Sequence, residues 1–282
     1  MPLGLMALAA LLAGAVHAAA GAPFCTGAYE QGAVLACRAA PSSTITLSDG
    51  HGFTQSLHAD AAGRFVLGFS RDAAPAMTLT VCPAQGNCAQ HSLRIARHAY
   101  KIERIDGLPP GQVSTFTDAQ LAHIRQSSAR KKSAFATQVS DDGYLAGFAR
   151  PVTGARISGV YGAQRVLNGK PKRPHMGLDF AVPAGTPIHA PAAGVVTLAD
   201  PDLYFEGGTV FLDHGQGLVS VFMHMSTIAV HDGEHVARGA VLGRVGATGR
   251  ATGPHLHWSL KWRNRYYVNP QSALALDPSL WR

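Results

Sequence analysis

From Arg150 to the C-terminus the chain is a succession of short apolar runs, each closed by a turn, with no helical period longer than two turns. The runs include Val160-Tyr161, Gly194-Val195-Val196-Thr197-Leu198, Thr209-Val210-Phe211-Leu212-Asp213-His214, Leu218-Val219-Ser220-Val221-Phe222-Met223-His224 and Gly239-Ala240-Val241-Leu242-Gly243-Arg244-Val245. With 31 Gly and 17 Pro in 282 residues, the composition favours short strands and turns over long helices. Residues 151–282 are therefore expected to form a compact, mostly antiparallel all-β domain with a groove.

Residues 21–98 repeat the pattern on a smaller scale. Thr44-Ile45-Thr46-Leu47-Ser48 alternates and ends at Asp49-Gly50; Gly63 to Phe69 and Met77 to Cys82 read as further strands. A small β-sandwich-like domain is expected there, too short to be an enzyme alone and suited to a spacer or binding role. All four cysteines, Cys25, Cys37, Cys82 and Cys88, lie in this part, and their even number predicts disulfides. Local closure favours Cys25–Cys37 with Cys82–Cys88, while Cys25–Cys88 with Cys37–Cys82 would staple the sandwich end to end. No Cys-x-x-Cys spacing supports a zinc-thiolate site. His51, His58, His91 and His98 show no paired ligand spacing and read as surface residues.

Between these parts, residues 99–150 read as a linker with a helix. Ile105-Asp106-Gly107-Leu108-Pro109-Pro110-Gly111 is a breaker cluster, and Thr117-Asp118-Ala119-Gln120 fits a capping box opening a helix to about Ala136. Leu121, Ile124 and Phe135 would be its apolar face, with Arg125, Arg130, Lys131 and Lys132 solvated. At the other end, residues 1–20 carry the apolar run Leu3 to Leu12 and small-residue cleavage sites, and read as a signal peptide without its basic n-region. Export followed by cleavage leaves no stable membrane span and makes the disulfides chemically sensible.

The net charge of +7 asks for an anionic partner. No Arg/Lys run interleaved with aromatics favours nucleic acid, which leaves an acidic surface such as the bacterial wall.

Candidate metal ligands come in two stretches, Arg173-Pro174-His175-Met176-Gly177-Leu178-Asp179-Phe180 and Gly253-Pro254-His255-Leu256-His257-Trp258, with Met223-His224-Met225 between them. In a chain with 14 His, an isolated His-x-His proves little. The context says more: Thr252-Gly253-Pro254 is a strand-entry turn, so His255 and His257 can share one strand face. His231 and His235 flank the turn Asp232-Gly233-Glu234 and read as surface; His189 and His214 receive no role. Tyr204-Phe205-Glu206-Gly207-Gly208 fits a groove wall or a plain loop equally well.

Taken in order, Gly159-Val160-Tyr161-Gly162, His175-x-x-x-Asp179, Gly185-Thr186-Pro187-x-x-Ala190-Pro191-Ala192-x-Gly194-Val195-Val196, Met223-His224-Met225 and Gly246-x-Thr248-Gly249-x-x-Thr252-Gly253-Pro254-His255-Leu256-His257 resemble the lysostaphin/LytM-type zinc endopeptidases. The resemblance runs from about residue 150 to 270, with Met223 where an aromatic is common and Met225 where leucine is usual. It implies Zn2+ held by His175, Asp179 and His257, with His224 and His255 as the catalytic pair. It further implies D,D-endopeptidase-like hydrolysis of peptidoglycan stem-peptide cross-links, in the periplasm or outside the cell. A non-catalytic relative that binds wall or activates an amidase is the alternative.

The chemistry is consistent on its own terms. Two neutral imidazoles and one carboxylate leave a zinc ion net positive with an open position. His255 is then expected as base or water-orienting group, and His224 as the donor to an oxyanion or leaving amine. The helical His-Glu-x-x-His arrangement is absent, so no glutamate base exists in that form.

Overall fold

A computed structural model describes residues 22–105, 116–137, 139–167 and 169–281. The expected signal peptide and most of the breaker cluster lie outside these residues. No helix among the described residues is long and apolar enough to cross a membrane.

The fold is mostly β, as the turn-delimited runs predict. In the first third a three-stranded sheet (Phe24–Thr26, Val34–Arg38, Arg64–Gly68) packs against a four-stranded sheet ordered Thr54–His58, Thr44–Ser48, Ala76–Cys82, Ala89–Arg94. Strict alternation buries Ile45, Leu47, Met77, Leu79 and Val81 between them. The disulfides are the local pairs, Cys25–Cys37 and Cys82–Cys88, so the sandwich is not stapled end to end. Cys25 and Cys37 sit directly opposite in the ladder, where a bridge needs no detour of the chain.

The second half is built on a ten-stranded sheet whose main path runs His235–Val236, Gly194–Leu203, Gly207–Asp213, Leu218–Ile228, Leu256–Trp262, Leu178–Ala181, Arg156–Gly159. One face carries Phe180, Phe222, Trp258 and Leu260, all fully buried. The same core continues into the N-terminal sheets without a break. Tyr266 Oη donates to Gly68 O at 2.9 Å, and Asn269 N donates to Gly32 O at 2.7 Å.

The capping box is formed. Gln120 N donates to Thr117 Oγ1 and Thr117 N donates to Gln120 Oε1, opening the helix Asp118–Ala136. Its contact face differs from the expected one. Ala134, Phe135 and Ser127 are buried, the Phe135 ring lying tilted against Phe211 at 4.5 Å, whereas Leu121 is exposed. The basic run is not simply solvated: Arg130 pairs with the buried Asp200 and Lys131 with Glu206, each at 2.5 Å. The expected linker also contributes a strand, Ile102–Ile105, which pairs in parallel with Gln164–Leu167.

Two buried titratable neighbours, Asp213 and His214, went unassigned in the sequence. Burial lowers the His214 pKa to about 4; its Nδ1 lies 2.7 Å from Ala193 O and its Nε2 2.8 Å from Ser220 Oγ. Burial raises the Asp213 carboxyl to about 6, against hydrogen bonds from Gly215 N and Val139 N and with the Asp141 charge adding. Asp141 itself meets His235 at 2.9 Å.

The two shifts act with opposite sign on stability. A neutral buried imidazole loses stability as pH falls from about 6.5 to about 4, while the raised carboxyl loses it as pH rises from about 3.8 through about 6. Asp213→Asn removes the second effect only. The variant is expected to be about 1–3 kcal/mol more stable at pH 8, with the gain vanishing near pH 4. Urea unfolding at both pH values checks it, and an equal difference at the two would sink the assignment.

Candidate metal centre

The site is written across the sheet, not along the chain. Met223, His257, Asp179 and Gly159 stand in one cross-strand row, each directly opposite the next. Opposite residues share a face, and on Leu178–Ala181 the alternation sends Leu178 and Phe180 to the core and Asp179 to the groove. His175 precedes this strand and is pinned by its backbone: its N donates to Ala163 O and its O accepts from Gly162 N, both at 2.7 Å.

Three ligand atoms converge. His175 Nε2 lies 3.1 Å from Asp179 Oδ1 and 3.0 Å from His257 Nδ1, and the last two are 2.8 Å apart. Among the described residues these three form the one His/Cys/Asp/Glu group close enough to hold a metal ion. The ring nitrogens facing away are occupied. His175 Nδ1 lies 3.0 Å from Val160 O, an acceptor only, so the proton sits there and Nε2 offers its lone pair. His257 Nε2 lies 2.7 Å from Ser259 Oγ, which can accept its proton and leave Nδ1 bare.

Burial alone would raise the Asp179 carboxyl, but hydrogen bonds and charge from His175 and His257 outweigh it and hold it well below the usual carboxylate range. Burial pushes His257 down, against the opposing Asp179. Neutral imidazoles beside an ionised carboxylate are the protonation states a cation requires. An N2O donor set with room for a further ligand fits zinc.

The two remaining histidines flank this group. His224 and His255 rings lie 4.8 Å apart, His224 lies 6.3 Å from His257, and His255 Nε2 is 4.0 Å from Asp179 Oδ1. His224 Nδ1 is held by Thr248 O at 2.9 Å and His255 Nδ1 by Gly253 O at 2.8 Å. Burial, helped by the charges of His255 and His257, lowers the His224 pKa to about 4 against the Thr248 carbonyl.

His224 reaches the groove by breaking the strand rule. Phe222 pairs with Trp258 on the core face, so alternation would send His224 there too. A register shift opposite Gly208–Val210 and a φ of 64° at His224 turn it to the other side. Its N–H is anchored on Glu206 O at 2.9 Å. His255 also differs from expectation: it stands just before the strand Leu256–Trp262, bridging Gly246.

Tyr204-Phe205-Glu206 flanks this site. Besides Glu206 O, Phe205 O accepts from Arg250 N at 2.8 Å, and the Arg250 guanidinium lies 4.7 Å above the Phe205 ring. Phe116 packs edge-on against both Tyr204 and Phe205. Ser259 is a supporting residue that motif reading missed, and Thr248 is one it quoted without a role. Ser259 carried a weak signal, standing two residues after His257 on the same strand face. Ser259→Ala is expected to weaken metal affinity about 10–100-fold while leaving the fold intact. Chelator competition measures this, and unchanged affinity would remove Ser259 from the site.

Known proteins supply the context. Peptidase family M23 matches residues 173–270. The peptidoglycan DD-endopeptidase ShyA of Vibrio cholerae is 42% identical over 112 residues, covering 39% of this chain and 26% of that protein. The DD-carboxypeptidase/endopeptidase Mpg of Neisseria meningitidis is 37% identical over 130 residues, 46% of this chain and 30% of that protein. The matches thus span less than a third of these curated relatives. A crystal structure of a Pseudomonas aeruginosa protein classed as peptidase M23 aligns with a TM-score of 0.62 and 31% identity, over 87% of this chain and 94% of that one. A likeness running through nearly the whole of both chains, together with the matched core around the histidine–aspartate group, shows that the chain belongs to peptidase family M23.

Proposed function

We propose that this chain is an exported zinc metalloendopeptidase that hydrolyses the peptide cross-links of bacterial peptidoglycan, with the N-terminal β domain as an accessory unit. The observation that carries the reading is the convergence of His175 Nε2, Asp179 Oδ1 and His257 Nδ1 beside two further imidazoles. His175, Asp179 and His257 would hold the ion. Zinc bound there supplies a Lewis acid for the scissile carbonyl and lowers the pKa of water.

The proton work falls to His224 and His255. Both spend Nδ1–H on a backbone carbonyl, so both turn Nε2 toward the reacting groups. With its pKa near 4, His224 is neutral at physiological pH and presents a lone pair, an acceptor and not a donor in the resting state. In this reading the two roles expected for the pair, base and proton donor, follow one another on the same imidazole. Each imidazole can first accept, orienting or deprotonating the attacking water, and the imidazolium so formed delivers its proton to the leaving amine.

Support for the substrate comes from the names of the relatives, a DD-endopeptidase and a DD-carboxypeptidase/endopeptidase, and from the net charge of +7, which suits an acidic wall. The two disulfides suit a periplasmic or extracellular location. The test is digestion of purified peptidoglycan by the intact protein, with products identified by mass, before and after chelation and again after zinc is restored. Release of cross-link fragments that is lost with chelator and regained with zinc is expected. Wall binding without cleavage, at full zinc occupancy, would replace this reading with the non-catalytic one.

A further inference from the structure

The N-terminal sandwich reaches across to the turn that carries His175. Arg71, in the connection between the strands Arg64–Gly68 and Ala76–Cys82, donates from Nε to Gly162 O at 3.0 Å. Its guanidinium lies 4.3 Å above the Tyr100 ring and also pairs with Asp72. Tyr100 in turn meets Tyr161 edge-on at 6.1 Å and lies so close to Gly162 that an added Cβ there would come within 2.0 Å of its ring. Gly162 has a φ of 79°, which favours glycine independently.

The clamped turn, Val160 to Ala163, is the one that fixes His175. Gly162 N donates to His175 O, His175 N donates to Ala163 O, and Val160 O holds His175 Nδ1. Beyond this turn the chain reaches Asp179 through 172–177, a stretch with no ladder of its own. Asp179 and His257 need no such help, because they face each other within the sheet. His175 is thus the ligand most dependent on outside support, and the guanidinium and the ring supply it.

We infer that Arg71 and Tyr100 are positioning residues for the metal centre: the N-terminal domain holds the 160–163 turn in place and so presents His175 to the ion. The inference rests on the reading of His175 as a ligand. It gives the accessory domain a task distinct from binding wall or covering the groove.

Arg71→Met removes the hydrogen bond to Gly162 O and keeps most of the side-chain bulk. It is expected to weaken zinc affinity about tenfold, measured on the full chain by competition with a chromophoric chelator. The same variant loaded with Co2+ is expected to show a weakened, shifted visible absorption as His175 leaves the coordination sphere. Tyr100→Ala should give a loss at least as large, and Tyr100→Phe, which keeps the ring against Gly162, should restore parental affinity. The Tyr100 hydroxyl has no hydrogen-bond partner among the described residues, so its removal is expected to cost little there. Leu57→Ala is the control: Leu57 is buried in the sandwich on Thr54–His58, a strand that carries neither Arg71 nor Tyr100, so its loss destabilises the domain and leaves both clamp residues present.

Parental zinc affinity and cobalt spectrum in folded Arg71→Met would overturn the inference, as would an equal loss of affinity in folded Leu57→Ala. Should Tyr100→Ala fail to fold, the Arg71→Met and Tyr100→Phe pair still decides. The readout is metal binding, so a chain that binds zinc tightly and cuts no wall peptide would sink the proposed function and leave this result standing.

Discussion

His257→Ala is expected to yield a folded protein that retains no zinc and has lost at least about 10⁴-fold in turnover, about 5.5 kcal/mol of barrier. The fold survives because the substituted side chain faces the groove, while the neighbouring Leu256 and Trp258 supply the core contacts of that strand. The metal is lost because the remaining pair, His175 and Asp179, is one imidazole and one carboxylate. His224→Ala should separate the two properties, keeping zinc and losing turnover, since His224 lies beyond the ligand group. A third variant sharpens the point: His224→Gly accepts the positive φ that alanine resists and should be about 1 kcal/mol more stable than His224→Ala, while still abolishing turnover. Metal analysis, thermal unfolding and peptide release on the same preparations check all three. Zinc retained by His257→Ala at full stoichiometry would sink the ligand assignment.

The second large effect is expected at a residue with no side chain. Gly159 stands opposite Asp179 on the outermost strand of the sheet's main path, and a Cβ there would fall 2.3 Å from Asp179 Oδ2 and 2.9 Å from Cγ. Backbone pairing fixes both residues, so the carboxylate must rotate away. That rotation carries Oδ1 off His175 Nε2 and His257 Nδ1. Gly159→Ala is therefore expected to cost about 100-fold in zinc affinity and at least as much in turnover. Global stability should change by less than about 1 kcal/mol, because the strand is peripheral and alanine restricts the unfolded chain. Chelator competition beside thermal unfolding checks this. A variant that binds zinc like the parent would show that the carboxylate has a second workable rotamer.

Much of this was legible in residue order. The capping box at Thr117–Gln120 announced the helix start because it is a local hydrogen-bond pattern. The run after Thr252-Gly253-Pro254 read as a strand because a strand-entry turn is a local signal too, and Leu256–Trp262 is one. The β class followed from the same signal. His175, Asp179, His224, His255 and His257 stood out by chemistry and spacing, and their motifs carried the family resemblance. What stayed hidden was set by partners distant in the chain. His224 occupies its place only through a bulge whose cause lies in the opposite strand at Gly208–Val210. Leu121 failed as a buried position because the helix docks through Ala134 and Phe135 onto Phe211, a contact no helical period encodes. The strand Ile102–Ile105 was read as linker because its partner, Gln164–Leu167, lies some sixty residues on. His214 received no role in the sequence; the structure has it hydrogen-bonded inside the core to Ser220, whose hydroxyl also accepts from Trp258 Nε1 at 3.0 Å.

The cross-strand row from Met223 to Gly159 has a consequence for how the metal centre comes into being. His175 and His257 are 82 residues apart in the chain, so an extended polypeptide offers the ion only local pairs, His175 with Asp179 or His255 with His257. The pocket exists only after the ladder between Leu178–Ala181 and Leu256–Trp262 has zipped into its correct alignment. Maturation is thus expected to have an order, the scaffold assembling before all three ligands can hold the ion. A slip of one residue in that zipper would turn Asp179 inward and leave a soundly hydrogen-bonded yet inert molecule.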